Sequence, residues 1–520
     1  MSSTVGRNGL LILPMWACLG CASAYLDLAP PSPEQPTIPR QSEGRQPAPW
    51  AQPAEVPVAR ERVEERNAVQ SGRRYGLPEL VELAAASNPD TRILWQRARE
   101  AALAVGVAHS SDWPTLSAVA LGGYQHSSFP VSSLPAGITL AAPEFLPGIS
   151  LMGAQGNGTS GRFGVGTFEV LPFVALRWQA LDFSRGPAAR AAEQTSIAAN
   201  LLFVGEHQRL LLEVSKAFFG LGAARAQVRV AEEALERTRV IARSAEARLA
   251  RGLATTVEVA EGRRELAQAK YGLTEATAAE SVARTALLVA MGVDPRIELE
   301  VETLSSRPLP GSMHEPVDGY IETALDSRPD VLVARSHAAR ADALIDEATS
   351  QYLPRLTLTG TGGAQVLGAK VGEGSFHSVT IPTVTALAKL EWLILDGGGR
   401  QGGVDIARAR RDEATLEVQK RRNATSQEVL SAYDLANAAL ARYQAGLELE
   451  RAAAVADEAT SSSYQRGLST LTDAAGAQRA HSVASAAKER AYAEARIALT
   501  ALTFAAGQLR SVAAIPDPRP

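Results

Sequence analysis

The chain has 520 residues, of which 21% are charged and 5% aromatic, and its formal net charge is −4. This acidic balance excludes nucleic acid as a main partner, because phosphate binding needs a basic surface. Beyond the amino-terminal leader there is no apolar run of about 18 residues, so the sequence predicts no membrane-spanning helix. Both cysteines, Cys18 and Cys21, lie in the leader.

The first 75 residues predict an export leader followed by a tether. Residues 1–20 contain Arg7, a short apolar core and then mostly small residues, the order of an export signal. Residues 21–75 are rich in proline and charge and predict an extended tether. Leu19-Gly20-Cys21 resembles the end of a bacterial lipoprotein signal, which makes Cys21 a candidate lipidation site. A plain secretory signal is the alternative.

The remaining chain contains one long internal repeat. Three segments of the first copy recur in the second: Ser87-Asn88-Pro89-Asp90 as Ser327-Arg328-Pro329-Asp330, Trp178-Gln179-Ala180-Leu181-Asp182 as Trp392-Leu393-Ile394-Leu395-Asp396, and Arg251-Gly252-Leu253 as Arg466-Gly467-Leu468. A repeat of this length indicates a duplicated half rather than a solenoid. The copies are predicted at 76–310 and 311–508, with a disordered tail at 509–520.

Each copy is predicted to contain a helix, two strands and two long helices, so the fold class is mainly α with a small β part. The first helices are predicted at 77–110 and 317–350, and the strands at 114–125, 168–182, 354–366 and 382–395. About ten alternating residues suffice for a tilted strand to cross a bilayer. Four strands cannot close a barrel, so identical chains would have to share one.

The residues between the paired strands, 127–166 and 368–381, are rich in Gly, Ser and Pro and predict surface loops. Four apolar residues of the longer loop could instead plug the mouth of a channel: Phe129, Phe145, Leu146 and Ile149. The sequence leaves both possibilities open.

The long helices show a sevenfold apolar repeat that predicts coiled-coil packing. In the first copy it runs through Val214, Leu221, Val228, Leu235, Ala242 and Leu249. A helix over 187–250 would be about 95 Å long, far more than a globular domain requires. His481 and Lys488 fall off the pattern in the second copy, which predicts less regular packing there.

Two matching turns separate the long helices and predict helical hairpins. Gly252 and Gly467 are expected as left-handed residues that end a helix, with Leu253 and Leu468 covering its last turn. Thr255 with Glu258, and Thr470 with Asp473, each predict a capping box at the start of the next helix.

Other segments predict bends between a strand and a long helix. Asp396-Gly397-Gly398-Gly399 interrupts a strand pattern, and Gly186-Pro187 occupies the same place in the first copy. The glycine run lacks the remainder of a phosphate-binding loop. The histidines show no metal-ligand spacing and no nucleophile motif occurs. The sequence therefore predicts no enzyme, no metal site and no cofactor.

A strand ending in W-x-[LI]-x-D-G-G before a long helix resembles the TolC-like outer-membrane efflux proteins of Gram-negative bacteria. The resemblance continues in Leu353-Pro354-Arg355-Leu356 and Tyr464-Gln465-Arg466-Gly467 and covers roughly 77–508. It implies a homotrimer with a twelve-stranded β-barrel in outer-membrane lipid, continued by a coiled-coil α-helical tunnel in the periplasm. A periplasmic adaptor would join this duct to an inner-membrane transporter.

The resemblance also assigns roles to the turns. Their residues would form the tip that contacts the adaptor: Arg251, Gly252, Leu253, Thr255, Arg466, Gly467, Leu468 and Ser469. Asp473 and Glu258 would line the pore constriction, although Gly476 stands where some members have a second acid. Drug, metal and protein cargo all remain open. The rival hypothesis is a lipid-anchored periplasmic coiled-coil scaffold without a pore, which would not need the strands.

Overall fold

A computed structural model describes residues 23–35, 73–131, 161–302, 309–313, 315–371, 377–509 and 511. Cys21 and most of the longer loop, including Phe145, Leu146 and Ile149, lie outside these residues. Phe129 lies within a described strand, but its side chain is outside the description. The chain divides into a helical unit (residues 1–108, 187–346 and 402–520) and a sheet unit (residues 109–186 and 347–401).

Eight α-helices of the described residues follow the predicted repeat. In the first copy they are α1 (Leu77–Ser87), α2 (Pro89–Ser110), α3 (Arg185–Ala250) and α4 (Thr256–Met291). In the second they are α5 (Val317–Ser327), α6 (Pro329–Ser350), α7 (Gly399–Gln465) and α8 (Leu471–Ala505). None of these helices combines the length and the apolar character that crossing a membrane requires.

The helices predicted at 77–110 and 317–350 are each broken in two, so that prediction was wrong. Asn88 and Arg328 lie at the breaks with extended backbone, at ψ 124° and 128°. Proline at the next position disfavours helical geometry in the residue before it, and its own fixed φ suits the first position of a new helix.

The strands form two sheets. The short strands β1 (Arg74–Tyr75) and β4 (Glu300–Val301) pair in parallel. The larger sheet has the order β2-β3-β5-β6, with all neighbours antiparallel. Its strands are β2 (Thr115–Val131), β3 (Gly161–Leu181), β5 (Arg355–Val371) and β6 (His377–Glu391). They reach further into the predicted loops than expected, whereas β6 ends at Glu391 instead of residue 395.

The last four residues of the predicted strand, 392–395, lie beyond the end of β6 and are not paired. Trp392 donates from its indole to the Tyr352 carbonyl oxygen at 3.0 Å. In the first copy Trp178 donates to the Asp112 carbonyl oxygen at 3.1 Å. Equivalent tryptophans therefore fasten both strand ends to the residues that precede β2 and β5.

The predicted bend at Asp396 is present. Gly397 and Gly398 have left-handed φ values of 64° and 91°, and Asp396 accepts hydrogen bonds from Gly398 N at 3.2 Å and Arg400 N at 2.8 Å. The prediction for Gly186 and Pro187 was wrong, since both lie inside α3. The first-copy bend lies earlier, where Asp182 accepts from the Ser184 amide at 3.0 Å.

Each copy of the repeat contains an equivalent internal contact that was not predicted. The Ser87 hydroxyl donates to the Met291 carbonyl oxygen at 3.1 Å, and the Ser327 hydroxyl donates to the Ala506 carbonyl oxygen at 3.3 Å. Each carbonyl precedes a left-handed glycine, Gly292 or Gly507. In each copy, the end of the last long helix is thus bonded to the proline break that follows the copy's first helix.

The predicted tether and tail are partly folded, which corrects both boundaries. Ala29 is buried, and the preceding Leu28 carbonyl oxygen accepts from the Asn200 amide at 2.6 Å. Tyr75 is buried in the strand pair at the other end of the predicted tether. Leu509, assigned to the tail, is fully buried in the main apolar cluster of the helical unit.

The predicted sevenfold repeat is confirmed at several positions of α3. Val214, Leu221 and Ala242 are buried along its seam. Ala224 and Ala245, which lie three residues after Leu221 and Ala242, are buried as well, and their small side chains allow close helix packing.

Candidate functional site

The two turns between the long helices, residues 251–255 and 466–470, have the same backbone. We call them the first and second tip. Gly252 and Gly467 have left-handed φ values of 75° and 80°, as predicted. Leu253 N donates to the Arg248 carbonyl oxygen at 2.9 Å, and Leu468 N donates to the Ser463 carbonyl oxygen at 2.8 Å. These bonds are those of the Schellman motif, which satisfies carbonyl groups at a helix end.

The leucines of the tips do not cover the preceding turn, so that prediction was wrong. Leu253 is 64% exposed and Leu468 is 76% exposed. Arg251 and Arg466 are exposed beside them. Each tip of the isolated chain therefore presents an apolar side chain next to a cation, a combination suited to binding another surface.

The second tip begins α8 with the complete capping box that the sequence predicted. Asp473 N donates to the Thr470 hydroxyl oxygen at 3.1 Å, and Thr470 N donates to the Asp473 carboxylate at 3.2 Å. Hydrogen bonds from the Thr470 hydroxyl and then from its amide lower the pKa of Asp473. The carboxylate is therefore charged at neutral pH.

The first tip has only half of its predicted capping box. Glu258 N donates to the Thr255 hydroxyl oxygen at 3.2 Å, but the carboxylate does not complete the box. Glu258 Oε2 is buried and has no hydrogen-bond partner among the described residues. Glu258 thus differs from Asp473, because part of its carboxylate is enclosed by the chain.

Tyr464 links the second hairpin to the first. Burial raises its pKa, and the charge of Glu258 raises it further while Arg248 lowers it. The Arg248 guanidinium lies 5.0 Å from the centre of the Tyr464 ring, and its Nη1 donates to the Tyr464 carbonyl oxygen at 3.0 Å. Sequence reasoning gave Tyr464 no role. The available signal was an aromatic residue at the position that Leu249 occupies in the first copy.

An apolar cluster lies beneath both tips. It takes Ala245 from α3, Val259 from α4, Tyr464 from α7, and Leu471 and Ala474 from α8. All four long helices contribute, so the two tips lie side by side. The structure therefore brings the residues of both predicted tips into one region.

The sequence also matches a known protein family. A family model described as outer membrane efflux protein matches residues 80–293 and 320–508. The chain belongs to the outer membrane efflux protein family. The two matched segments correspond to the two copies of the repeat. The family consists of efflux proteins and is not an enzyme family.

Individual relatives agree with the family match. The chain is 26% identical to protein CyaE of Bordetella pertussis over 71% of each chain. It is 26% identical to outer membrane protein OprJ of Pseudomonas aeruginosa over 43% of this chain and 44% of OprJ. The fold is similar to that of the Campylobacter jejuni CmeC outer membrane channel, with a TM-score of 0.63 and 18% sequence identity. The similarity covers 83% of this chain and 85% of the CmeC chain.

Proposed function

We propose that three copies of this chain form an outer-membrane efflux duct. Their sheets close a twelve-stranded barrel in lipid, and their long helices form a tunnel in the periplasm. A periplasmic adaptor contacts the two tips and joins the duct to an inner-membrane transporter. The duct itself is passive, because the chain shows no motif for nucleotide hydrolysis.

The open four-stranded sheet carries this proposal. β2 and β6 are its edges, and unpaired edges are not tolerated in lipid unless another chain pairs with them. Alternation and register place mostly apolar residues on one face: Leu116, Ala118, Val174, Leu176, Leu356, Leu358, Val384, Ala386 and Leu390. The other face is richer in polar residues, including Ser117, Arg177, Thr359, Thr361, Gln365, Thr385 and Lys389. One face suits lipid and the other a water-filled lumen.

The rival hypothesis, a coiled-coil scaffold without a pore, explains the long helices but does not explain why one face of the sheet is apolar. Purified protein should be a trimer that conducts ions across a planar lipid bilayer. A monomer without conductance would favour the scaffold and contradict the duct.

A pair of neighbouring substitutions tests the two faces of the sheet. Val384, which is 87% exposed, lies on the apolar face, and Thr385 lies on the opposite face. Val384→Lys should reduce assembly in the outer membrane, because a lysine on a lipid-facing strand costs roughly 1–2 kcal/mol short of the bilayer midplane. Thr385→Lys should assemble normally and shift the ion preference towards anions. Equal assembly of both variants would contradict the assignment of the faces.

Lipidation of Cys21 is a further part of the proposal. Its support is Gly20-Cys21-Ala22 after an apolar core. Mass spectrometry of the mature protein should find a lipid on an amino-terminal Cys21. Cys21→Ala should weaken assembly rather than abolish it, since the barrel still holds the protein in the membrane. An unmodified mature chain that begins at another residue would contradict the lipid anchor.

Substitutions of Asp473 test whether this residue lines the pore constriction. Three copies around one axis would favour cations, so Asp473→Asn should reduce cation preference while asparagine retains a cap acceptor. Asp473→Ala also removes the carboxylate half of the capping box and should lower the stability by roughly 0.5 to 1.5 kcal/mol. Single-channel recording separates the two effects. If cation preference is unchanged in Asp473→Asn, the residue only caps α8 and does not line the pore.

A further inference from the structure

One polar layer crosses the four long helices at a level where the sevenfold repeat predicts an apolar seam. We call it the polar layer. Its members are Arg237 and Thr238 of α3, Glu265 of α4, Asp457 of α7, and Gln478, Arg479 and His481 of α8. Four of them are almost fully enclosed: Gln478 is 4% exposed, Glu265 6%, and Thr238 and Asp457 8% each. His481 is one of the two residues that fell off the sequence pattern.

The layer fastens the second hairpin (α7 and α8) to the first (α3 and α4). Gln478 Nε2 donates to the Thr238 hydroxyl oxygen at 2.8 Å and to the Ala234 carbonyl oxygen at 2.9 Å. Arg479 lies 3.2 Å from the Glu265 carboxylate. These contacts join α8 to α3 and α4 and involve no histidine.

A third connection depends on a histidine. The Asp457 Oδ2 atom accepts from Arg237 Nη1 at 3.0 Å and lies 2.9 Å from His481 Nδ1. Arg237 Nη1 and His481 Nδ1 are themselves 2.9 Å apart. One carboxylate oxygen of α7 is therefore shared by a guanidinium of α3 and an imidazole of α8.

The charge of the imidazole decides whether this arrangement is stable. A neutral ring either donates from Nδ1 to Asp457 or leaves Nδ1 as an acceptor for Arg237. An imidazolium has no free lone pair, so it can only donate to Asp457. Protonation would then place two cations on one carboxylate oxygen at hydrogen-bond distance from each other. Because both His481 and Asp457 belong to the second hairpin, Arg237 is the group that this repulsion displaces.

Other charged groups surround these three. On α3, Glu233 lies 3.7 Å from Arg237. On α7, Glu450 lies 3.8 Å from His481 Nε2. On α8, Lys488 lies 3.9 Å from Glu450 and 3.5 Å from Glu489. Because Glu450 belongs to α7, it attracts an imidazolium towards the second hairpin rather than towards Arg237.

We propose that the polar layer is a proton-operated clamp, in which protonation of His481 displaces Arg237 from Asp457 and loosens the second hairpin from the first. This inference rests on the proposed function, for which it supplies a regulation: an acidified periplasm favours a wider tunnel end. A purely structural layer would need no histidine, because Gln478 with Thr238 already defines the helix register by neutral hydrogen bonds. His481 lies ten residues into α8, about 15 Å from the second tip.

The distance between the tips tests the clamp without relying on conduction. Spin labels at Leu253→Cys and Leu468→Cys, in a Cys21→Ser background, report this distance by pulsed electron resonance. Labelled chains are diluted with unlabelled ones, so that only distances within one chain are measured. Histidine ordinarily titrates between pH 5 and 8, so the comparison is made at about pH 7.5 and about pH 5.5. The population with separated tips should rise roughly fivefold or more on acidification.

Two single substitutions, of His481 and of Arg237, are expected to change the distance between the tips in opposite directions. His481→Gln should keep the tips together at both pH values, because Arg237 is no longer displaced. Arg237→Gln should raise the population with separated tips already at about pH 7.5, while the apolar cluster beneath the tips is unchanged. His337→Gln replaces an exposed histidine of α6 and should respond like the unmodified protein. Circular dichroism verifies that each variant retains its helices.

Each outcome decides the matter. Tips that stay together in the unmodified protein at both pH values would overturn the clamp, and so would a normal response in His481→Gln. If the distance changes with pH but the protein does not conduct ions, the clamp stands and the proposed duct fails. If the protein conducts and its tips never move, the duct stands and the clamp fails.

Discussion

Replacing Gly292 with alanine is expected to lower the free energy of unfolding by about 2 to 5 kcal/mol, whereas the same change at Gly252 should cost about 1 to 2 kcal/mol. The two glycines have nearly the same left-handed backbone, with φ values of 72° and 75°. The strain of a side chain in that conformation is therefore common to both. The surroundings differ.

A Cβ atom at Gly292 would lie 2.9 Å from Asn88 Cα and 3.0 Å from Pro89 Cδ, while nothing lies within 4 Å of one at Gly252. The crowding is with backbone and a proline ring, which cannot move aside as a flexible side chain would. The Ser87 hydrogen bond to the Met291 carbonyl oxygen keeps the two segments together. Overpacking therefore adds about 1 to 3 kcal/mol at Gly292 and nothing at Gly252.

Denaturant unfolding of the two alanine variants, followed by circular dichroism in detergent, measures this difference. Gly507 offers an independent check, because a Cβ atom there would lie 2.7 Å from Ser327 Oγ and 3.2 Å from Arg328 N. Gly507→Ala should resemble Gly292→Ala rather than Gly252→Ala. Equal destabilisation by all three changes would mean that backbone strain alone is responsible and that the docking contact contributes nothing.

Features that depend on local chain geometry were predictable from the sequence. The left-handed Gly252 and Gly467 follow from a helix-ending glycine between apolar repeats. The bend at Asp396 follows from a glycine run after an alternating strand. The proline breaks were also available in principle, since Pro89 and Pro329 disfavour helix in the preceding residue. Polar residues, Ser87-Asn88 and Ser327-Arg328, also interrupt the apolar pattern directly before each proline.

Features that depend on contacts between distant segments were not predictable. The carboxylates of Glu258 and Asp473 occupy equivalent positions in the two copies, yet only Asp473 completes its capping box. Glu258 instead acts electrostatically on Tyr464, a residue of another helix that is far away in sequence. His481 was similarly interpreted as a fault in the repeat, because a periodic pattern cannot show that Asp457 and Arg237 approach it from two other helices.

Acidification should destabilise the fold through His207, by about 3 kcal/mol between pH 6.5 and pH 4. His207 lies on α3 and is 7% exposed, and its Nδ1 atom has no hydrogen-bond partner among the described residues. Burial lowers the pKa of His207 to about 4. In the unfolded chain the ring takes up a proton near pH 6.5.

The unfolded state therefore binds more protons than the folded state between these two pH values. It follows that stability is fully present above about pH 6.5 and is lost progressively as the pH falls towards about 4. The carboxyl of Asp330 does not contribute to the pH dependence between about pH 6.5 and about pH 4. Burial raises its pKa, but the hydrogen bonds and charge of Arg328 outweigh burial and hold the pKa below its ordinary value. Its contribution is lost only at lower pH.

His207→Leu removes the titrating group and keeps an apolar side chain in the buried site. Its unfolding free energy, measured in denaturant at about pH 7 and about pH 4.5, should fall by about 2 to 3 kcal/mol less than that of the unmodified protein. His337→Leu changes an exposed histidine and should retain the full pH dependence. If His207→Leu loses as much stability in acid as His337→Leu does, the ring is not neutral in the folded protein. The acid sensitivity would then have to come from surface charges, whose effect should diminish when salt is added.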